Sequence, residues 1–156
     1  MRKKSARQTA GRAVARHLET VSAPSFGRLL KVISRLRGPG GCPWDRKQSH
    51  RSLLKYLFEE AKELQVSVRK KDYANMEEEL GDVLLQVIFH AQLAAEKGRF
   101  TMEDVVRNQI RKLTLRHPHV FGYKAEHRKL LKGRSLRTAQ DVLDNWDILK
   151  AISRKR

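Results

Sequence analysis

The sequence predicts an all-α fold, a helical bundle of four to five helices completed by dimerisation. Three observations carry this expectation. Apolar residues recur at helical spacing in several long segments, and no strand-like alternation stands out. Two acidic clusters, Glu59-Glu60-Ala61-Lys62-Glu63 and Glu79-Leu80-Gly81-Asp82, fall on neighbouring helical segments. Each cluster spaces carboxylates three residues apart, which puts them on one side of a helix. Antiparallel packing would bring four oxygen ligands to one spot. That suits Mg²⁺, because carboxylates crowded without a cation repel one another.

The elements follow in chain order. Residues 1–24 carry six basic and one acidic residue and few large apolar side chains, so they read as a basic, disordered tail. Their Arg-rich, acid-poor character also fits organelle targeting by a transit peptide, the lesser alternative. Ser25 is the expected N-cap of a helix over 26–37, with Phe26, Leu29, Leu30, Ile33 and Leu36 on its apolar side. Gly38-Pro39-Gly40-Gly41-Cys42-Pro43 ends it, and Trp44 and Asp45 are expected in a loop that lasts to about Ser49. The second helix is predicted over Ser52–Lys70, with the stripe Leu53, Leu57, Ala61, Leu64 and Val68. At 100° per residue from Leu57, Glu60 and Glu63 border that stripe and Glu59 points further out.

The third helix, Tyr73–Lys97, is apolar on nearly all sides, which marks a central element with Asp82 at its heart. A buried ionised carboxylate is costly unless paired or bound to metal. Leu85, Phe89 and Leu93 lie opposite Leu80, Leu84 and Val87, so one hairpin leaves apolar surface for a second copy to cover. Gly98 ends this helix, and Thr101-Met102-Glu103-Asp104 reads as the cap of a fourth, with Val105, Val106, Ile110 and Leu113 on its apolar side. His117-Pro118-His119 closes it. A basic loop is expected over 124–138, within a polar stretch that starts at 122, and one last helix over 139–152. The organisation expected is therefore a tail (1–24), a helical domain (25–123), a basic loop (124–138) and a C-terminal helix with a basic tail (139–156).

The net charge of +17 sits mainly at the two ends, and the middle is nearly balanced. Basic ends attract phosphates on nucleotides or nucleic acid. No apolar run approaches the roughly 20 residues of a membrane span. Cys42 is alone, which excludes an internal disulfide and a paired-cysteine metal site. A reducing, cytoplasmic setting suits this, and Cys42 reads as a packing residue. His117 and His119 flank a proline without further Cys or His at ligand spacing, so structural roles outweigh zinc.

The chain resembles the MazG family of nucleoside triphosphate pyrophosphohydrolases. The resemblance rests on Glu59, Glu60 and Glu63 followed by Glu79 and Asp82, on Gly41-Cys42-Pro43-Trp44-Asp45, on Gly81-Asp82-Val83-Leu84-Leu85-Gln86-Val87 and on Arg116-His117-Pro118-His119-Val120-Phe121-Gly122. It spans about residues 28–123 and, more weakly, Trp146 to Lys150. It implies a MazG-like all-α catalytic domain that cleaves nucleoside triphosphates to monophosphate and pyrophosphate with Mg²⁺, for which Mn²⁺ can substitute. The likeness makes Glu60, Glu63, Glu79 and Asp82 the metal ligands, with Glu59 orienting or activating water or bracing the cluster.

Lys112 and Arg116 match basic positions that contact the triphosphate; a surface pair favoured by the helix dipole is the plainer reading. Trp44 stacks on a base or caps the core. The family often carries two tandem copies where this chain has one, so a homodimer is expected. The alternative is a non-enzymatic basic protein that binds nucleic acid through its tails, or a dimerising scaffold with a degenerate fold. An aromatic content of 6% supplies few stacking platforms for single strands.

Overall fold

The structure, a computed structural model, describes residues 23–154. The expected disordered tail and its transit-peptide alternative lie outside the described residues, except that Ala23 and Pro24 already belong to the first helix. The described residues form nine helical segments and no strand. They are α1 (Ala23–Arg37), α2 (Pro43–Lys47), α3 (His50–Lys70), α4 (Tyr73–Glu96), α5 (Met102–Arg116), α6 (Pro118–Phe121), α7 (Ala125–Leu131), α8 (Ala139–Asp144) and α9 (Trp146–Arg154). The all-α class is as expected. The number of segments exceeds four to five because short helices occupy stretches read as loops. The chain divides into two compact units, one ending at Lys97 and the other starting at Gly98.

In the first unit, α3 and α4 form an antiparallel hairpin, and α1 packs on α4 and on α2. The helix α1 starts at Ala23, so Ser25 lies inside it and is not its N-cap. Pro24 is tolerated there because the first turn has no use for its missing N–H. After α1 the chain turns at Gly41, where an added Cβ would overlap the carbonyl oxygen of Leu36. The segment expected as a loop at Trp44 and Asp45 is one turn of helix, α2, with Pro43 presetting φ at its start. Arg37 joins three elements. It reaches both Glu96 carboxylate oxygens at 2.7 Å and also donates to the Asp45 carbonyl.

Ser49 caps α3 through a reciprocal bond with Ser52, so the helix starts at His50, two residues before the expected Ser52. Leu53 is buried, but Ala61 and Val68 of the predicted stripe are exposed, and Ser67 is buried instead. Ser67 is tolerated because its hydroxyl donates to the Leu64 carbonyl at 2.9 Å. Lys71, in the left-handed region at φ 56°, and the N-cap Asp72 make the turn into α4. Phe89 and Leu93 of α4 are buried, while Leu80, Leu84 and Val87 are exposed. Burial thus covers one side of α4, not all of it.

At the open end of the hairpin, His50 and His90 stack with ring centroids 5.1 Å apart and Nδ1 atoms 2.8 Å apart. His90 Nε2 is buried and unpartnered. A bare acceptor is less costly there than an unsatisfied N–H, which assigns the shared proton to His90 Nδ1, donating to His50.

In the second unit, α9 packs on α5, α7 and α8. Leu131, Leu136 and Leu149 form its core, with Val142, Trp146 and Ile148 against them. Thr101 and Asp104 cap α5 reciprocally, as expected. Ile110 and Leu113 are exposed, contrary to the apolar side predicted for this helix, and α5 holds no buried residue. The basic loop contains α7, whose His127 and Leu131 point inward at i,i+4 spacing while Arg128 and Lys129 stay outside. His127 is fully buried; its Nε2 donates to the Leu115 carbonyl at 2.7 Å and its Nδ1 accepts from the Lys124 N–H at 2.9 Å. The single last helix is broken at Asn145, whose side-chain amide donates to the Asp141 carbonyl at 2.8 Å and ends α8.

Burial, and then repulsion from His50, holds the His90 pKa below its ordinary 6.5. The neutral form is favoured in the fold, so the associated stability is complete above 6.5 and is lost as pH falls through the lowered value. Unfolding from about pH 7 to about pH 5 should show falling stability that His90→Phe flattens. Equal slopes in the two proteins would refute this role for the pair.

Candidate functional site

The hairpin converts two separated acidic clusters into one site. Glu60 of α3 and Glu79 and Asp82 of α4 each offer an oxygen, all within 4.8 Å of one another. Among the described residues, this trio is the converging group of three metal-binding side chains. The buried carboxylate is Glu79, at 7% exposure; Asp82, expected at the heart of the helix, is only half-buried. Position 82 lies 300° along the helix from position 79, so Asp82 turns toward the edge of the buried face.

Glu79 Oε1 accepts from Asn75 Nδ2 at 3.2 Å, and Oε2 is buried with no partner. Burial, then the Glu63 charge, raises the Glu79 pKa, against the lowering hydrogen bond from Asn75; Asp82 and Glu78 raise it further. Glu60 is also raised, first by burial and then by Asp82, Glu63, Glu79 and Glu59. Glu63 is exposed beside the trio and acts on it through its charge. Glu59 is exposed one position before Glu60.

Converging hard oxygens, raised carboxyl pKa values and an orphaned buried oxygen are what a divalent cation would relieve. The residues present therefore fit Mg²⁺, with Mn²⁺ suited to the same donors.

Trp44, Lys112 and Arg116 are not members of the trio. Trp44 is 51% exposed and meets Tyr56 edge to face at 5.7 Å, so it does not cap the core. Lys112 and Arg116 belong to the second unit, where both line a cavity of about 750 Å³ beside α5 and the end of α9. Arg116 Nε donates to Ser153 Oγ at 2.9 Å, and its guanidinium lies 5.7 Å from the Trp146 ring centre. Sequence reasoning missed Ser153, because a serine near a chain end carries no pattern. It also missed the His50–His90 pair, although both lie about 20 residues from the hairpin turn.

Residues 48–121 match the MazG nucleotide pyrophosphohydrolase domain. The nucleoside triphosphate pyrophosphohydrolase/pyrophosphatase MazG of Thermotoga maritima is 57% identical over 97 residues, covering 62% of this chain and 38% of that protein. The uncharacterized protein YabN of Bacillus subtilis is 44% identical over 125 residues, 80% of this chain and 24% of that protein. The nucleoside triphosphate pyrophosphohydrolase of Escherichia coli K12 is 38% identical over 128 residues, 81% of this chain and 45% of that protein. The chain thus spans less than half the length of these relatives. Residues 48–121 thus form a MazG-family domain.

Replacing Glu79 with Gln removes one of the repelling charges. Metal-free Glu79→Gln should melt about 2–4 °C above the metal-free parent. Millimolar Mg²⁺ should raise the melting point of the parent and leave the variant nearly unmoved. A parent indifferent to Mg²⁺ would remove the metal from this site.

Proposed function

We propose that this chain hydrolyses nucleoside triphosphates to nucleoside monophosphates and pyrophosphate in a Mg²⁺-dependent reaction. The observation that carries the reading is the buried, unpartnered Glu79 oxygen inside the carboxylate trio. The MazG-family domain, and the printed activity of the Thermotoga and Escherichia relatives, support it.

Glu60, Glu79 and Asp82 would hold the cation, with Glu63 as the further ligand that the family likeness implies. Bound there, Mg²⁺ would neutralise phosphate oxygens and acidify a water. Glu59, exposed beside Glu60, would orient that water or accept its proton. Lys112 and Arg116 would bind phosphate oxygens, and the exposed face of Trp44 is available to stack on a base. We assign the activity to the clearance of damaged or surplus nucleotides in the cytoplasm. Polynucleotide binding through the basic ends is a separate proposal that rests on the charge distribution alone.

The functional unit we propose is a homodimer. Leu80, Leu84 and Val87 recur on one side of α4, and Leu54 and Phe58 lie four apart on α3; all five are exposed. A second hairpin laid on these residues would remove that apolar surface from water.

Two outcomes test the reading. With a panel of nucleoside triphosphates and Mg²⁺, monophosphate and pyrophosphate should appear together, and Asp82→Asn should cut turnover by more than about 100-fold while the helical CD signal stays. Diphosphate plus orthophosphate as first products would indicate attack at the other end of the chain. Light scattering at micromolar concentration should give a dimer, and Leu84→Glu a helical monomer; a monomeric parent would end the assembly proposal.

A further inference from the structure

We infer that Ser153, together with the Trp146 ring, presets the Arg116 guanidinium as a fork for a polyphosphate, which makes Ser153 a positioning residue. The inference deepens the proposed function and rests on its assignment of Arg116 to phosphate.

The geometry runs through one hydroxyl. Ser153 is 2% exposed on α9, and its Oγ donates to the Lys150 carbonyl at 2.8 Å, one turn back on the same helix. A serine hydroxyl has one proton, so with that proton engaged its oxygen can only accept. It accepts from Arg116 Nε at 2.9 Å. The guanidinium is also placed against the Trp146 ring, 5.7 Å from its centre. Two contacts, the hydrogen bond at Nε and the Trp146 ring, restrict the rotations of a long side chain.

Because Ser153 takes the Nε–H, the two terminal nitrogens remain for a bidentate contact with phosphate. The cavity that Arg116 lines is strongly cationic, with Arg107, Lys112 and Arg154 also on its wall. Its acidic member, Asp104, is engaged by Thr101 through two bonds at 2.7 and 2.9 Å and through the α5 cap. Arg107 is paired with Glu103 at 3.2 Å, which leaves Lys112 and Arg154 beside Arg116, and a chain of two or three phosphates matches several cations better than one phosphate does. Presetting Arg116 lowers the ordering cost at binding, so it acts on affinity more than on chemistry.

The test is steady-state kinetics on Ser153→Ala, Ser153→Thr, Arg116→Ala and the Ser153→Ala/Arg116→Ala double variant, each checked for an unchanged melting point. Ser153→Ala should raise KM for nucleoside triphosphate about fivefold with kcat within about twofold, and Ser153→Thr, which keeps the hydroxyl, should restore it. In the Arg116→Ala background the serine change should shift KM by less than about twofold, because its partner is already gone. An unchanged KM in Ser153→Ala, or the same fivefold shift without Arg116, overturns the inference. Calorimetric titration with inorganic pyrophosphate separates this from the proposed activity. A protein that turns over no triphosphate loses the enzyme reading. The inference then still requires that Ser153→Ala weaken pyrophosphate binding only when Arg116 is present, and equal weakening in both backgrounds overturns it.

Discussion

The first unit depends on the register set by two residues. Lys71 takes the left-handed conformation, with its N–H on the Ser67 and Val68 carbonyls, and Asp72 caps the next helix at Asn75. Glu60 lies eleven residues before Lys71 and Asp82 eleven after, so an antiparallel return brings them to the same level. His50, 21 residues before Lys71, and His90, 19 after it, meet toward the far end of the same antiparallel return. A slip of one residue would rotate one helix by about 100° and separate both pairs.

The hairpin holds its polar groups at a cost that the rest of the unit offsets. Three carboxylates converge, two of them with raised pKa values, and Glu79 leaves an oxygen unsatisfied. Such groups resist close packing of α3 on α4. Leu53, Ile88, Phe89 and Leu93 supply buried apolar area in the same hairpin. Arg37 ties α1 and α2 to the end of α4, and its hydrogen bonds keep the Glu96 carboxyl below the usual range. The neighbouring elements thus stabilise a hairpin whose centre is electrostatically crowded, an arrangement expected of a site kept for chemistry.

Long helices were legible in the sequence because their period repeats and their ends carry caps. Thr101 with Asp104, and Gly98 before them, announced α5. Shorter elements were not: α2, α7 and α8 complete two turns or fewer, too few for a period to emerge from composition. In α7 the charged pair Arg128 and Lys129 stands between His127 and Leu131, which alone form the buried face. The acidic residues were legible as a set through their spacing. Which one is buried was not, because α4 is apolar on most sides and only its packing on α3 and α1 selects Glu79 over Asp82. Arg116 was visible as a charge one turn from Lys112, but its restraint by Ser153 depends on how the last helix returns along α5, a tertiary fact no local pattern encodes.

The placement of the two tryptophans has an optical consequence. The chain has two, and each compact unit holds one, Trp44 half-exposed against Tyr56 and Trp146 under the Arg116 guanidinium. Their indoles sit in different surroundings, so the emission spectrum is a sum of two separable reporters. A single-tryptophan version of the protein would follow events in one unit without signal from the other, using chromophores the molecule already contains.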